Sequence, residues 1–332
     1  MTFDTSTIIW RKHNRSRAVQ VGALLVLLSV LLGCEHQPPT IALIPEEPDD
    51  LWEPAHIAAT NAARGSGFDL YWNGPTRRHD VQRQILILDH AIQKGVQGIL
   101  IAPAEPLALM TPVQRAVSKG LPTVILGSPL PLPATGTLSY VLNDEDEEGK
   151  LAARRLGERL HGRGSVAVLG VHPGSASLFL RLRAFENALA VEFPGVTITS
   201  ARMGSADEAE AEQTARELLN SEPNIDAIFA LSAVATLGAF RALRDEQNSK
   251  VLLVGCDQQY DLLYYLSLGK IDSIVAENTY EMGELGMKIV IARKRGENPS
   301  QVMKVKPVLI TLENMSAPEF VPILIHDWRP MP

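Results

Sequence analysis

From Ile41 onward, short apolar runs alternate with amphipathic stretches of roughly 12–18 residues, the rhythm of strands and helices wound into a parallel sheet. Strands covered by helices on both faces read as continuous apolar runs. Eleven segments fit: IALI (41–44), FDLYW (68–72), GILIA (98–102), TVILG (123–127), YVLN (140–143), SVAVLGV (165–171), VTITS (196–200), AIFAL (227–231), VLLVG (251–255), SIVA (273–276) and VLITL (308–312). Eleven strands are too many for one open sheet with this complement of helices, so two sheets are expected. Val81–Gln93 carries apolar Ile85, Leu86, Leu88 and Ile92 at helical spacing and is followed by Gly95 in a C-terminal cap position. Another helix is expected to open at Ser205, with Glu208 completing a capping-box pattern. KGVQGILIAP, KGLPTVILGS and PNIDAIFALS each read as a helix end, a turn and a buried strand. They share a supersecondary rhythm without a fixed repeat period.

The first residues read differently. Arg11, Lys12, Arg15 and Arg17 form a basic stretch, followed by VGALLVLLSVLL (21–32), Gly33 and Cys34, the layout of an export signal. Twelve apolar residues fall short of the ~20 that span a bilayer as a helix. LLGC resembles a bacterial lipobox, which implies cleavage before Cys34 and acylation of its sulfur, a lipid anchor for a body that is tethered and not inserted. The alternatives are an ordinary signal peptide or an uncleaved anchor. On the lipobox reading residues 1–33 are the signal, and 34–40, polar and proline-containing, are a tether.

Composition narrows the class. Of 332 residues, 45% are hydrophobic and 21% charged, which suits a folded chain long enough for two domains. The net charge is −7, and without residues 1–33 it is −10, from 27 basic against 37 acidic residues. An acidic chain is a poor nucleic-acid binder. Two cysteines exclude a disulfide scaffold or a cysteine-cluster zinc site, and Cys256, inside VLLVGC, is expected to be a buried free thiol. No GxSxG elbow, phosphate loop or HExxH pair is present. GRGSVA precedes its strand, whereas a dinucleotide loop must follow one. The eight histidines are scattered, and adjacent carboxylates such as Asp49–Asp50 and Glu147–Glu148 point apart. No catalytic set forms, so the chain reads as a non-enzyme without metal or cofactor.

Ten segments together carry a family likeness: IALIPEEPDDLWEP, WNGPTRRHDVQRQ, GVQGILIAPAEP, LPTVILGS, LNDEDEEGKLAA, RLRAF, IFALSAVATLGAFRAL, VLLVGCD, SIVAENTYEMG and KPVLITLENM. In order and spacing, Ile41 to about Met315 resembles the periplasmic sugar-binding proteins of the ribose-binding type, substrate-binding components of ABC transporters related to the ligand domains of the lactose-repressor family. The resemblance implies an α/β fold of two doubly wound parallel-sheet lobes joined by three crossover strands, with the ligand cleft between them. Crossings would fall near Leu142–Glu145, Ala276–Asn278 and Lys304–Pro307. The lobes would be 41–142 with 277–305, and 143–276 with 306–332.

It also implies site residues. Asp50, Trp52 and Glu53 match first-turn contacts, with Trp52 offering an apolar face to a sugar. Arg181, four residues before Phe185, matches an arginine that forks to ligand oxygens. Asp257, after VLLVGC, matches an aspartate that accepts from ligand hydroxyls. Glu277 stands at a crossover where glutamine is frequent, and Trp72 packs near the cleft. Two sugar clamps are replaced, by Gly127-Ser128 and by Ser232-Ala233, so Ser128 and Ser232 enter the expected site. Such an acid-rich set suits polyols, equally suits an amine-bearing ligand, and disfavours anions.

The resulting expectation is a lipid-anchored, monomeric solute-binding protein at the periplasmic or outer face of the cytoplasmic membrane, capturing a sugar or polyol for an ABC permease. A sensory lipoprotein signalling to a membrane kinase or chemoreceptor is the alternative. A hydrolase lacks its nucleophile. A repressor lacks its DNA-binding helices and carries an export signal.

Overall fold

The computed structural model describes residues 38–324 apart from 48–49, 78–79, 173, 205–206 and 246–249. The export signal and Cys34 lie outside the described residues.

Continuous apolar runs become buried strands because helices cover both sheet faces. The chain runs β1 (Thr40–Ile44), α1 (Glu53–Ala63), β2 (Asp69–Trp72), α2 (Val81–Gln93), β3 (Gly98–Ile101), α3 (Pro106–Ser118), β4 (Thr123–Gly127) and β5 (Leu138–Asn143). It continues through α4 (Glu145–Arg159), β6 (Gly164–Leu169), α5 (Ala176–Glu192), β7 (Val196–Arg202), α6 (Glu208–Ser221), β8 (Ala227–Ala230), α7 (Ala233–Asp245), β9 (Leu252–Cys256), α8 (Tyr260–Ser267) and β10 (Ser273–Ala276). The last elements are α9 (Thr279–Lys294), β11 (Val302–Val305), β12 (Val308–Thr311) and α10 (Val321–Leu324). Among the described residues no helix is long and apolar enough to cross a membrane.

Two six-stranded sheets result, ordered β11-β5-β4-β3-β1-β2 and β12-β10-β9-β8-β6-β7. All pairings are parallel except β12 against β10. The chain passes between sheets after β5, after β10 and between β11 and β12, giving the two parallel-sheet lobes. Within each strand successive side chains enter opposite cores. Leu100 joins Leu43, Leu126 and Val290 on one face of the first sheet, while Ile99 and Ile101 join Leu88, Leu109 and Ile125 on the other. In the second sheet Ile228 and Phe229 part in the same way.

Several elements differ from the sequence reading. β11 was not expected: its V-M-K-V pattern is mostly exposed, because it is an edge strand and needs no apolar run. Val81–Gln93 forms as a helix, but its buried face is Gln84, Ile87, Leu88 and Ala91, while Leu86 is 60% exposed. The helix expected to open at Ser205 begins at Glu208, capped by the Asp207 side chain on the Glu210 N–H; Ser205 lies outside the described residues. Cys256 is a buried free thiol. In the C-terminal segment α10 contacts α1 and α9 of the first lobe, while its Leu324 joins the second sheet's core; residues 325–332 lie outside the described residues.

Candidate functional site

The carboxyl ends of parallel strands are where open α/β sheets bind ligands, and here both sheets turn those ends toward one cavity of about 780 Å³. Its wall takes Glu46, Glu47 and Leu51 from the turn after β1, Pro103 to Leu107 from the β3–α3 turn, and Ser128 to Pro131 after β4. The other lobe supplies His172, Gly174 to Leu178, Ser232 to Val234, Asp257 and Gln259.

A buried amide sets the first-lobe loops. Gln84, fully buried on α2, donates to Pro45 O and Ala102 O at 2.8 and 2.6 Å and accepts from Ala104 N at 3.0 Å. One side chain thus ties the turns after β1 and β3, which carry Glu46, Glu47 and Glu105. After β4, Gly127 adopts φ +73°, and a Cβ there would lie 3.2 Å from the Trp52 ring. Glycine takes the left-handed turn at no steric cost and leaves the indole uncrowded beside it. Trp52 is 2% exposed and donates through Nε1 to Glu46.

In the second lobe Asp257 leaves β9 with φ +63°. Aspartate tolerates this left-handed region better than most residues, and such local strain clusters at functional sites. Its Oδ1 accepts from Arg181 at 3.3 Å and its Oδ2 from the Ala233 N–H, at the start of α7, at 3.0 Å.

Behind Asp257 lies a buried ionic network. Gly149 of α4 approaches the Arg181 carbonyl so closely that a Cβ would sit 2.2 Å from it. The tight α4–α5 packing brings Glu145 and Glu148, one helical turn apart, to Arg181, which is anchored one turn before Phe185 and its contact with Phe229. The guanidinium lies 2.9 Å from both Glu145 and Glu148, 3.5 Å from Glu277, and 2.6 Å from Leu231 O. Asn143 links Glu148 to Glu277. Burial pushes the Glu148 carboxyl well above the usual carboxylate range against the pull of Arg181. Burial, then Asp257 and Glu145, do the same to Glu277, and burial raises Asp257 less strongly. Glu145, Glu148 and Glu277 sit close enough to hold a metal ion, but Arg181 already supplies the positive charge among them.

Of the expected residues, Ser128, Ser232 and Asp257 lie on the cavity wall. Asp50 does not line it; it accepts from Tyr260 N at 3.3 Å, across the lobes. Ser128 and Ser177 also meet across the lobes at 3.2 Å. Trp52 is packed into the first-lobe core, Glu53 pairs with His56 at 3.1 Å, and Trp72 stacks on His56 at 4.7 Å. Arg181 and Glu277 sit behind the wall in the ionic network. Glu46, Glu47, Glu105, Ser175, Ser177 and Gln259 were missed. The PEEP turn directly after β1 was a readable signal for the first two, and the i, i+3 spacing of Glu145 and Glu148 for the network.

Residues 41–298 match the periplasmic binding protein domain. The chain belongs to this family. It is 26% identical over 250 residues to a xylitol-binding protein of Mycolicibacterium smegmatis, covering 75% of this chain and 69% of that one. With a ribose import binding protein of Bacillus subtilis it shares 28% over 208 residues, 63% of this chain and 66% of the relative. In fold, a carbohydrate transporter solute-binding protein of Agrobacterium radiobacter solved with D-arabinose aligns with TM-score 0.76 at 25% identity, over 87% of this chain and all of that one. The family is one of solute-binding components of ABC importers and not of enzymes.

Proposed function

We propose that this periplasmic binding protein captures a small hydroxylated solute, a sugar or polyol, outside the cytoplasm and delivers it to an ABC permease, anchored by lipid on Cys34. Residues 1–33 are then the removed signal and 34–40 the tether, with lobes of 41–142 plus 277–305 and 143–276 plus the C-terminal segment.

The observation that carries the reading is Asp257, a carboxylate in a left-handed turn at a strand end on the cavity wall. Each oxygen has one protein donor and retains lone-pair capacity for ligand hydroxyls. Ser128, Ser177, Ser232 and Gln259 add hydroxyl and amide partners from both lobes. Arg181 holds Asp257 in place from behind, with Glu277 on the same guanidinium, Asp50 latches the lobes, and Trp52 shapes the wall beside Gly127. Glu53 supports the first turn. Relatives named for xylitol and ribose favour the same ligand class.

The test is a thermal-shift panel on the full-length protein with ribose, allose, arabinose, xylitol and glucitol. A ligand at 100 times its Kd adds about 2.7 kcal/mol, a shift of several degrees. No shift with any compound at millimolar concentration contradicts the reading.

A further inference from the structure

The end of the first lobe that lies opposite the cavity is basic, although the chain is acidic. Turns 64–68, 94–97, 119–122 and 295–301, each leading from a helix into the amino end of a strand, carry Arg64, Lys94, Lys119 and Arg295, and the end of α9 adds Arg293 and Lys294. All are exposed except the half-buried Arg293. Only Asp69 and Glu297 stand against these six there. None of the six forms an ion pair among the described residues. Lys94 lies over the Tyr71 ring, Lys294 donates to Gln97 at 2.9 Å and Arg293 to Asn298 at 2.6 Å, while Arg64 and Arg295 line one hollow of about 370 Å³.

Helix C-termini favour cations in general, but the second lobe has the same helix ends without the imbalance. Its corresponding described turns hold Arg163, Lys250 and Lys270 against Glu222, Asp226 and Asp272. The basic end is also where the chain enters the fold. Gln97 N–H donates to Thr40 O at 2.7 Å and Asp69 N–H to Pro39 O at 3.0 Å, so β1 begins between two of the basic turns. With lipid on Cys34, five residues separate the acylated position from Pro39. At roughly 3.5 Å each their reach is at most about 18 Å, near two Debye lengths at physiological salt. The tether therefore keeps the one basic end close to the bilayer, while the net charge of −10 lies on the rest of the surface.

We infer that this end of the first lobe docks on anionic phospholipid headgroups, with Arg64, Lys94, Lys119, Lys294 and Arg295 facing the phosphates and the cleft turned away from the bilayer. The inference rests on the proposed anchor at Cys34. Each basic side chain near an anionic surface contributes about fivefold in partition, so several together orient a tethered body whose other faces are repelled.

The experiment is acetylation of the full-length protein on vesicles with an amine-reactive reagent, read at each lysine by mass spectrometry. Vesicles are pure phosphatidylcholine, or the same lipid with a quarter of phosphatidylglycerol. On the anionic vesicles labelling of Lys94, Lys119 and Lys294 should fall at least about fivefold, while exposed Lys270 of the second lobe is unchanged. Sodium chloride at about 1 M, where the Debye length is roughly 3 Å, should abolish the difference. Arg64→Glu with Arg295→Glu should abolish it too, with the ligand-induced thermal shift retained. Equal labelling on both vesicles, or equal protection of Lys270, overturns the inference and leaves the anchor standing. Failure to sediment with pure phosphatidylcholine vesicles overturns the anchor; protection on anionic vesicles then still supports the basic face, and its absence overturns both.

Discussion

Replacing Arg181 with methionine separates the two roles open to it. In this structure the side chain is 3% exposed and lies within 3.5 Å of Glu145, Glu148, Asp257 and Glu277. Methionine fills most of the volume but leaves those carboxylates without their counter-charge. Removing one partner of a buried ion pair costs about 3–5 kcal/mol, which at about 2–4 °C per kcal/mol in a domain of a few hundred residues lowers the thermal midpoint by roughly 6–20 °C. Proton uptake relieves the repulsion, so the loss should be smaller near pH 5 than near pH 8. The assay is urea unfolding at both pH values alongside calorimetric affinity for the compound that most stabilises the wild type. A stability loss below about 1 kcal/mol together with a hundredfold loss of affinity refutes the network role and puts Arg181 on the ligand.

Asp257→Asn keeps the shape and loses charge. Affinity should fall about ten- to a hundredfold, and the midpoint should also drop by a few degrees, because Asp257 is held by Arg181 and the Ala233 N–H and is not a merely hydrated cleft carboxylate; unchanged affinity makes it a structural cap only. Glu148 and Glu277 have native pKa values raised by burial above their ordinary range, so the native state binds the extra protons. Their stabilising contribution is complete below the ordinary carboxylate range and is lost as pH rises through the raised values. Stability measured by urea titration should therefore decline with rising pH, and Glu148→Gln should flatten the decline; an unaltered slope contradicts this. Cys34→Ser should release the protein from the membrane fraction while its ligand-induced thermal shift persists, and an unlipidated wild-type N terminus by mass spectrometry contradicts the anchor.

Much of the fold is legible in the sequence because helix-covered strands must be continuous apolar runs. IALI, TVILG and SIVA can be read without knowing their partners. β11 could not, since an exposed edge strand has no such constraint, and neither could the antiparallel sense of β12, set by the short link from one sheet to the other. At the site, Asp257 was legible because VLLVGC ends where a strand must turn. Arg181 matched a ligand contact by position, and its place in a network was not legible: its partners lie on α4, at the end of β9 and at the crossover after β10, and only packing joins them. Trp52 matched a ligand contact by position, yet the glycine at 127 lets the indole close over the first-lobe core.

The most direct test of a cleft that closes on its solute is small-angle scattering of the full-length protein with and without the strongest ligand from the panel. Two lobes on three crossings, meeting through Ser128–Ser177 and Asp50–Tyr260, predict a smaller radius of gyration at saturation. Saturating binding with an unchanged radius contradicts capture between the lobes.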